Sequence, residues 1–184
     1  MRRRVGPGLV FFAAMLVGAA SVVGYFAYER HAEAFAIHSL TPDVWVTDQL
    51  SVDRVNGPQI RRFRTVIDLR PDGEAPDQAP AAKIEQAVRG RGLDFAFVPV
   101  PHGDIPPPVV ASLSEALNKS PKPVLLYCRT GRRAARTWAL SEAKRPGGLS
   151  AAEIENAVRD VGQTADDLDA AIADDVSHRA ATTR

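Results

Sequence analysis

From about residue 40, short apolar segments alternate with segments of helical periodicity, and this alternation limits the possible folds more than any other feature. Three segments have the apolar, β-branched composition of strands, and each is followed by a helical pattern. The strands are predicted at residues 63–69, 93–100 and 123–128, and the helices at 79–91, 106–119 and 131–145. Such alternation is typical of a parallel sheet covered by helices. We therefore expect a single α/β domain with a mainly parallel central sheet flanked by helices.

Weaker patterns extend this domain on both sides. An edge strand is predicted at residues 44–46 and a short helix at 51–55. Ser150 and Glu153 have the spacing of a capping box, which predicts a helix over 150–161. A last short helix could begin near Thr164, and the polar segment 174–184 is expected to be a loose tail. The predicted domain spans residues 41–173, after a juxtamembrane linker at 29–40.

The N-terminal segment predicts a membrane anchor. Arg2, Arg3 and Arg4 precede residues 5–28, which carry no charge. A helix of that length spans ~36 Å, more than the ~30 Å hydrocarbon core of a bilayer. The arginines favour a cytoplasmic N-terminus at residues 1–4, a single transmembrane pass and an extracytoplasmic domain, which is periplasmic in a diderm bacterium. The alternative is a signal peptide cleaved after the small-residue pattern at 32–34.

Cys128 is the only cysteine of the chain, which excludes an intramolecular disulfide and a cysteine-rich zinc site. It ends the third predicted strand, and Gly131 provides a pivot before the next helix. Backbone N–H groups at a helix N-terminus form a cradle for anions and favour a thiolate. Arg133 is placed to bind a tetrahedral oxyanion through its two-pronged guanidinium. The predicted binding residues of the loop are Arg129, Thr130, Gly131 and Arg132.

A structural role for this cysteine is the alternative. A core cysteine at a strand end, followed by an ordinary basic helix face, has the same local composition. The wider sequence adds little to the choice, because the net charge of +1 provides no basic field for nucleic acid. The sequence contains neither a glycine-rich nucleotide loop nor a cluster of metal-ligand residues, so we expect no cofactor and no metal.

Three motifs together resemble a known family. Residues 65–74 (TVIDLRPDGE), 97–100 (FVPV) and 123–133 (PVLLYCRTGRR) resemble the phosphatase-like domain of the beta-lactamase hydrolase-like family. The resemblance covers about residues 41–162. It implies a fold similar to that of dual-specificity tyrosine phosphatases and a cysteine-dependent hydrolase that acts through Cys128 and Arg133. Some members of the family are labelled sulfurtransferases.

The loop departs from the tyrosine phosphatase pattern in two ways. Tyrosine phosphatases place the arginine after five intervening residues, whereas Arg133 follows Cys128 after four. A loop of this length is the one that rhodanese-type sulfurtransferases use to carry a persulfide. The hydroxyl that follows the phosphatase arginine is replaced by Ala134. A sulfurtransferase and a non-catalytic anion-binding module therefore remain alternatives to the hydrolase, with a phosphorylated compound or a sulfur donor as the substrate.

Other polar residues are predicted near the same sheet edge. A phosphatase needs a general acid for the leaving oxygen, and Asp104 and His102, in the loop after the second strand, are the candidates. The alternative is a solvated proline-rich loop. Arg70 follows the first strand and is expected to add positive charge, with Glu74 or Asp72 orienting an arginine. These charges could equally lie in an exposed surface turn.

Overall fold

A five-stranded sheet forms the centre of the structure, a computed structural model that describes residues 35–182. Residues 36–182 belong to one compact unit. The strands are β1 Ile37–Ser39, β2 Val44–Thr47, β3 Thr65–Asp68, β4 Asp94–Phe97 and β5 Val124–Tyr127. Their order is β1-β2-β5-β3-β4, with β1 antiparallel to β2 and the other neighbours parallel. The fold is an α/β domain with a mixed sheet flanked by helices.

Helices connect and extend the strands. They are α1 Val52–Asn56, α2 Ala81–Gly90, α3 Pro107–Lys119, α4 Arg132–Lys144, α5 Ala151–Asp160 and α6 Asp169–Thr182. Two 3-10 turns, Pro58–Arg62 and Asp166–Leu168, complete the described elements. The predicted capping box opens α5: the Ser150 hydroxyl accepts from the Glu153 N–H, and the Glu153 carboxylate accepts from the Ser150 N–H at 2.8 Å.

The two central strands, β3 and β5, are buried along their whole length. Side chains alternate between the two faces of a sheet, so neighbouring positions on one strand enter different layers. Ile67 of β3 and Leu126 of β5 belong to the main core, together with Cys128 and the buried side of α4, including Trp138. Asp68, which pairs in register with Tyr127, lies on the other face.

The ends of the chain differ from the expectation in two places, and one predicted segment lies outside the described residues. Strand β1 lies within the predicted linker 29–40, because it pairs with β2, so the sheet begins before residue 41. Helix α6 covers most of the segment expected to be a loose tail. It is held there because Ile172 is fully buried and the Arg179 guanidinium donates to the carbonyl of Glu142 at 2.7 Å. The predicted anchor at 5–28 falls outside the described residues. Within residues 35–182, no helix combines the length and apolar character needed to cross a bilayer.

Candidate active site

Four loops meet at the carboxyl edge of the parallel strands. Gln49 follows β2, Arg70 follows β3, Val100 follows β4 and Cys128 follows β5. Because β5 and β3 are the two central strands, Cys128 stands in the middle of this edge, where ligands of open α/β sheets bind. Arg70 and Cys128 are buried, at 4% and 1% exposure.

Gly131 allows the chain to turn from β5 into α4. Its φ of +81° is left-handed, a conformation that residues with a Cβ adopt only with strain. A Cβ built there would lie 3.4 Å from the Thr47 carbonyl oxygen and 3.6 Å from Gln163 Nε2. The loop is therefore enclosed by β2 on one side and by the segment after α5 on the other. This is the strand, turn and helix that the sequence predicts around Cys128.

The backbone of this loop leaves its N–H groups open. Among residues 35–182, none accepts a hydrogen bond from the backbone N–H of residues 129–133. The carbonyls, in contrast, are bound: the Gln49 N–H donates to the Arg129 carbonyl at 3.3 Å and Gln163 Nε2 donates to the Thr130 carbonyl at 3.2 Å. Consecutive free N–H groups at a helix N-terminus form a site with affinity for an anion.

The Arg133 guanidinium is oriented by two fixed acceptors. Its Nη1 donates to Glu74 Oε1 at 2.6 Å and to the Val100 carbonyl at 2.7 Å, and its Nη2 donates to Glu74 Oε2 at 2.7 Å. A guanidinium has five N–H donors, so two remain, on Nε and on the second position of Nη2. These two lie on one edge of the planar group, the geometry that binds two oxygens of an oxyanion.

The charge around Arg133 keeps it protonated. Burial acts to lower its pKa, but the hydrogen bonds and charge of Glu74 raise the pKa overall. The sulfur of Cys128 lies close enough to the guanidinium to contribute to the same rise. Arg133 is thus a permanent cation beside the cysteine.

Glu74 joins two arginines and a histidine. Beyond its two contacts with Arg133, its carboxylate accepts from Arg70 Nε at 3.0 Å, and His102 Nε2 lies 3.2 Å from Oε1. The hydrogen bond from Arg133, followed by the one from Arg70, lowers the pKa of Glu74 to about 2 against the opposing effect of burial. Arg70 also donates to Gln49 Oε1 at 2.6 Å, which connects the β2 and β3 loops. This ion-pair network fixes the position of Arg133 beside Cys128.

The predicted residues separate into two groups in the structure. Arg133, Arg70 and His102 are brought together through Glu74, and Cys128 lies beside Arg133. The loop side chains Arg129, Thr130 and Arg132 are exposed around them. Of the two acids proposed to orient an arginine, Glu74 has that role, whereas Asp72 Oδ1 accepts from the N–H of Ala81 at the start of α2.

Asp104 has no contact with this network. Its side chain is exposed, and within residues 35–182 its carboxylate forms no hydrogen bond or ion pair. His102, in the same loop, reaches Glu74 although its side chain is 72% exposed. The assignment of Asp104 as general acid stays a prediction.

Three contributors to the site were not predicted from the sequence: Gln49, Gln163 and the carbonyl of Val100. Two glutamines and a backbone carbonyl carry no recognisable local signal, because their part depends on which loops meet at the sheet edge. Val100 did lie inside a family-like motif, at residues 97–100. The motif does not show that the backbone carbonyl of Val100 accepts a hydrogen bond from Arg133.

The comparison with protein families decides the relationship of this chain. The family described as beta-lactamase hydrolase-like protein, phosphatase-like domain, matches residues 36–145, which is more than half of the chain. The chain belongs to this family. The match includes the strands β1 to β5, the Cys128 loop and α4, and it confirms the resemblance found in the three sequence motifs.

Three curated relatives carry the name beta-lactamase hydrolase-like protein, and two of them represent the range of identity. The protein of Xylella fastidiosa (strain Temecula1 / ATCC 700964) is 38% identical over 82 residues, 45% of this chain and 19% of the relative. That of Agrobacterium fabrum (strain C58 / ATCC 33970) is 30% identical over 94 residues, 51% of this chain and 22% of the relative. The chain thus spans about a fifth of the length of the curated relatives that it matches.

Solved structures show the same fold. A protein of Neisseria meningitidis, described as a candidate phosphatase, superposes with a TM-score of 0.65 at 26% identity, over 76% of this chain and 97% of that one. The core catalytic domain of a PP-IP phosphatase from S. cerevisiae superposes with a TM-score of 0.55 at 15% identity, over 75% and 83% of the two chains. These likenesses place the domain among phosphatase-like folds.

Proposed function

We propose that this protein is a cysteine-dependent phosphatase-like hydrolase, with Cys128 as nucleophile and Arg133 as the principal oxyanion ligand. The observation that carries the proposal is the arrangement around Cys128: open backbone N–H groups at residues 129–133, together with the free edge of an Arg133 guanidinium fixed by Glu74. A tetrahedral oxyanion needs several convergent donors, and this loop offers them next to the sulfur of Cys128.

In the first step the Cys128 thiolate attacks phosphorus, and an S–P bond forms as the P–O bond to the leaving group breaks. The free edge of Arg133 and the loop N–H groups bind the non-bridging oxygens, where negative charge is greatest. The leaving oxygen takes a proton from a general acid or from water. The products of this step are a phosphocysteine and a free alcohol.

In the second step water attacks the phosphocysteine, the S–P bond breaks, and orthophosphate leaves as the thiolate is restored. The residue after Arg133 is Ala134, which is fully buried and has no hydroxyl to help this departure. Thr130 is the nearest hydroxyl of the loop and is exposed. We therefore expect hydrolysis of the intermediate to be slow relative to its formation.

We propose that the general acid lies in the loop after β4. Asp104 is the acid predicted from the sequence, and His102 is the alternative because its Nε2 lies 3.2 Å from Glu74. Asp104→Asn and His102→Gln distinguish the two in the pH dependence of kcat/KM, because loss of the true acid removes the alkaline limb of the profile. A substrate with a leaving group that needs no proton should be insensitive to the same change.

The substrate class is a phosphorylated compound. The solved relatives named as phosphatases support this class, and the name PP-IP phosphatase belongs to the yeast protein alone. The Arg129 and Arg132 side chains, both exposed at the loop, suit substrates with negative charge beyond the reacting group.

A sulfurtransferase is a second candidate, because the loop from Cys128 to Arg133 has four intervening residues. In that reaction the thiolate takes the outer sulfur of thiosulfate, the S–S bond breaks and sulfite leaves. Cyanide then removes the sulfur from the persulfide, giving thiocyanate and the thiolate. Both reactions use the same anion cradle and differ in the atom that Cys128 attacks.

The deciding experiment compares the wild-type chain and Cys128→Ser in two assays: aryl phosphate hydrolysis, and sulfur transfer from thiosulfate to cyanide. Cysteine-dependent phosphate release alone supports the hydrolase. Cysteine-dependent thiocyanate formation alone overturns it in favour of the sulfurtransferase. Inactivity in both assays, with orthophosphate still raising the melting temperature, would identify a non-catalytic anion-binding module.

The membrane anchor at residues 5–28 is a separate proposal, supported by the arginines before it and the uncharged stretch itself. We infer a single pass with the N-terminus in the cytoplasm and the domain outside. A reporter fused to the C-terminus, active only in one compartment, tests this orientation. A cytoplasmic signal would overturn it, and release of the domain in soluble form would identify a cleaved signal peptide.

A further inference from the structure

The segment after α5 reaches back to the Cys128 loop, although it follows the residues 36–145 that match the family. Gln163 Nε2 donates to the Thr130 carbonyl at 3.2 Å. The backbone of Gln163 is itself fixed, because its N–H donates to the Val158 carbonyl of α5 at 3.1 Å. The side chain therefore extends to the loop from a defined position at the end of a helix.

A second contact holds the same segment against α4. Arg136 donates to both carboxylate oxygens of Asp167, with 2.6 Å between Nη2 and Oδ2, and its Nη1 lies 3.4 Å from the Thr164 carbonyl. Arg136 stands one turn after Arg133 on the same helix. The segment at residues 163–167 is thus tied both to the loop and to the helix that the loop starts.

The bond to Thr130 determines which way one peptide unit of the loop faces. In a planar trans peptide, the carbonyl of one residue and the N–H of the next point in opposite directions. With the Thr130 carbonyl held by Gln163, the N–H of Gly131 points away from Gln163. The Gln49 N–H has the same effect on the preceding peptide, because it holds the Arg129 carbonyl.

A loop with Gly131 at its pivot needs such a constraint more than most. Glycine has access to more of φ/ψ space than any other residue, so a peptide unit beside it can flip at little cost. A flip of the Thr130–Gly131 unit would turn a carbonyl, in place of an N–H, toward the anion. Negative charge would then be repelled where the proposed reaction requires it to be bound.

We propose that Gln163 is a positioning residue of the Cys128 loop, which holds the Thr130–Gly131 peptide in the orientation that binds an oxyanion. The proposal rests on the proposed function for its consequence, the affinity for a phosphoryl group. The restraint of the loop by Gln163 does not depend on which reaction the protein catalyses. Gln163 does not contact the substrate in this assignment.

The test uses the full chain and the variant Gln163→Met, which keeps the side-chain length and removes the N–H donor. Gln59→Met is the matched control, because Gln59 is exposed in the 3-10 turn Pro58–Arg62, away from the carboxyl edge of the sheet. Two measurements are made on each protein: hydrogen–deuterium exchange of the peptides covering residues 129–134, and the concentration of orthophosphate that protects Cys128 from alkylation by iodoacetamide.

We expect Gln163→Met to exchange faster in the loop, with a protecting orthophosphate concentration about fivefold higher, the effect of one ordinary hydrogen bond. Gln59→Met should match the wild type in both measurements. In steady-state hydrolysis, kcat/KM should fall by a similar factor, while the pH profile keeps its shape because Gln163 does not titrate.

Three results would overturn the proposal. Unchanged loop exchange would show that Gln163 does not restrain the loop. Faster exchange with unchanged orthophosphate protection would show that the peptide orientation does not matter for the anion. Weaker protection with unchanged exchange would indicate direct contact between Gln163 and the anion. Failure of orthophosphate to protect the wild type overturns the proposed function instead, and the exchange measurement still decides whether Gln163 restrains the loop.

Discussion

Two carboxyl groups, the buried Asp68 at the end of β3 and the partly buried Glu74 in the loop that follows, behave in opposite ways. Asp68 is 2% exposed, and burial raises its pKa to about 6, although the Tyr127 hydroxyl and the Arg70 N–H both act to lower it. The Glu74 side chain is 10% exposed, and its pKa is lowered to about 2 by Arg133 first and by Arg70 as well. The two groups lie on the same stretch of chain but face different partners.

The difference lies in where the cations are placed. A buried carboxylate is costly unless a cation and hydrogen bonds compensate it. Arg70 donates its backbone N–H to Asp68 at 2.8 Å, but its guanidinium turns to Glu74. Charge compensation is thus concentrated in the network beside Cys128. Asp68, on the other face of the sheet, is left with a neutral hydroxyl and a backbone N–H.

The largest expected effect concerns the cation that Glu74 orients. Arg133→Lys keeps the charge but loses the planar pair of donors, so we expect kcat/KM for aryl phosphate to fall by roughly 10²–10³. Arg89→Lys is the control, because Arg89 forms an exposed pair with Glu85 on α2. Steady-state kinetics measure both, and equal activity of the two variants would contradict the assigned role of Arg133.

Removal of the negative charge between the arginines should destabilise the fold. Glu74→Gln leaves Arg70 and Arg133 without a counter-charge, and we expect a loss of about 3 kcal/mol in the free energy of unfolding at pH 7. Glu85→Gln, from an exposed pair, should change it by less than ~0.5 kcal/mol.

The sign of the pH dependence follows from the lowered pKa of Glu74. The contribution of the Glu74 charge to the free energy of unfolding is complete above the ordinary pKa of 4.5. It is lost as pH falls from there toward about 2. Urea denaturation at several pH values should therefore find the two chains converging in acid. A difference that stays constant down to pH 2 would mean that the Glu74 charge is not the cause.

The opposite result is expected on the other face of the sheet. Asp68→Asn keeps an oxygen for the Arg70 N–H and removes the charge, so we expect stabilisation on the order of 2 kcal/mol at pH 7.5. The pKa of Asp68 is raised, from 3.8 to about 6, so its ionisation costs stability as pH rises through that interval. The gain should be present above pH 6 and should vanish near pH 4.

Asp94→Asn, at an exposed position in β4, is the control for this variant and should change the free energy of unfolding little at either pH. A gain for Asp68→Asn that is the same at pH 4 and pH 7.5 would show that the benefit comes from packing rather than from the removed charge.

The smallest effect should come from Tyr127→Phe. The Tyr127 hydroxyl is buried and has no hydrogen-bond partner of ordinary geometry among residues 35–182, so its loss should change stability by less than ~1 kcal/mol. Because that hydroxyl acts to lower the pKa of Asp68, its removal should raise the pKa further. NMR titration of the Asp68 carboxyl measures this shift, and a lower pKa in the variant would contradict the contact.

The sequence predicted the elements that depend on neighbouring residues. The apolar run before Cys128, the glycine at 131 and the helix after it appear as β5, the turn and α4 because each is set by local periodicity and by a φ that glycine tolerates. The prediction of a capping box at Ser150 was confirmed for the same reason. The strand bounds were too long at 93–100, where β4 covers Asp94–Phe97.

The elements that were missed depend on distant partners. Helix α6 replaces an expected loose tail because Ile172 finds a buried position and Arg179 binds carbonyls after α4, including that of Gly148 at 3.0 Å. Neither partner can be read from the polar composition of the segment. Strand β1 forms for a similar reason, since this three-residue segment is held in the sheet by its pairing with β2.

The sequence by itself determined the alternation of strands and helices from β3 to α4, the single cysteine at a strand end and the pattern of its loop. Only the tertiary structure decided that Glu74 rather than Asp72 holds Arg133, across a separation of 59 residues, and that Gln163 holds the Thr130 carbonyl. Local pattern fixes a residue's element, because backbone preferences act over a few residues. Partners from different loops are chosen by the sheet order β2-β5-β3-β4, which brings the carboxyl ends of those strands to one edge.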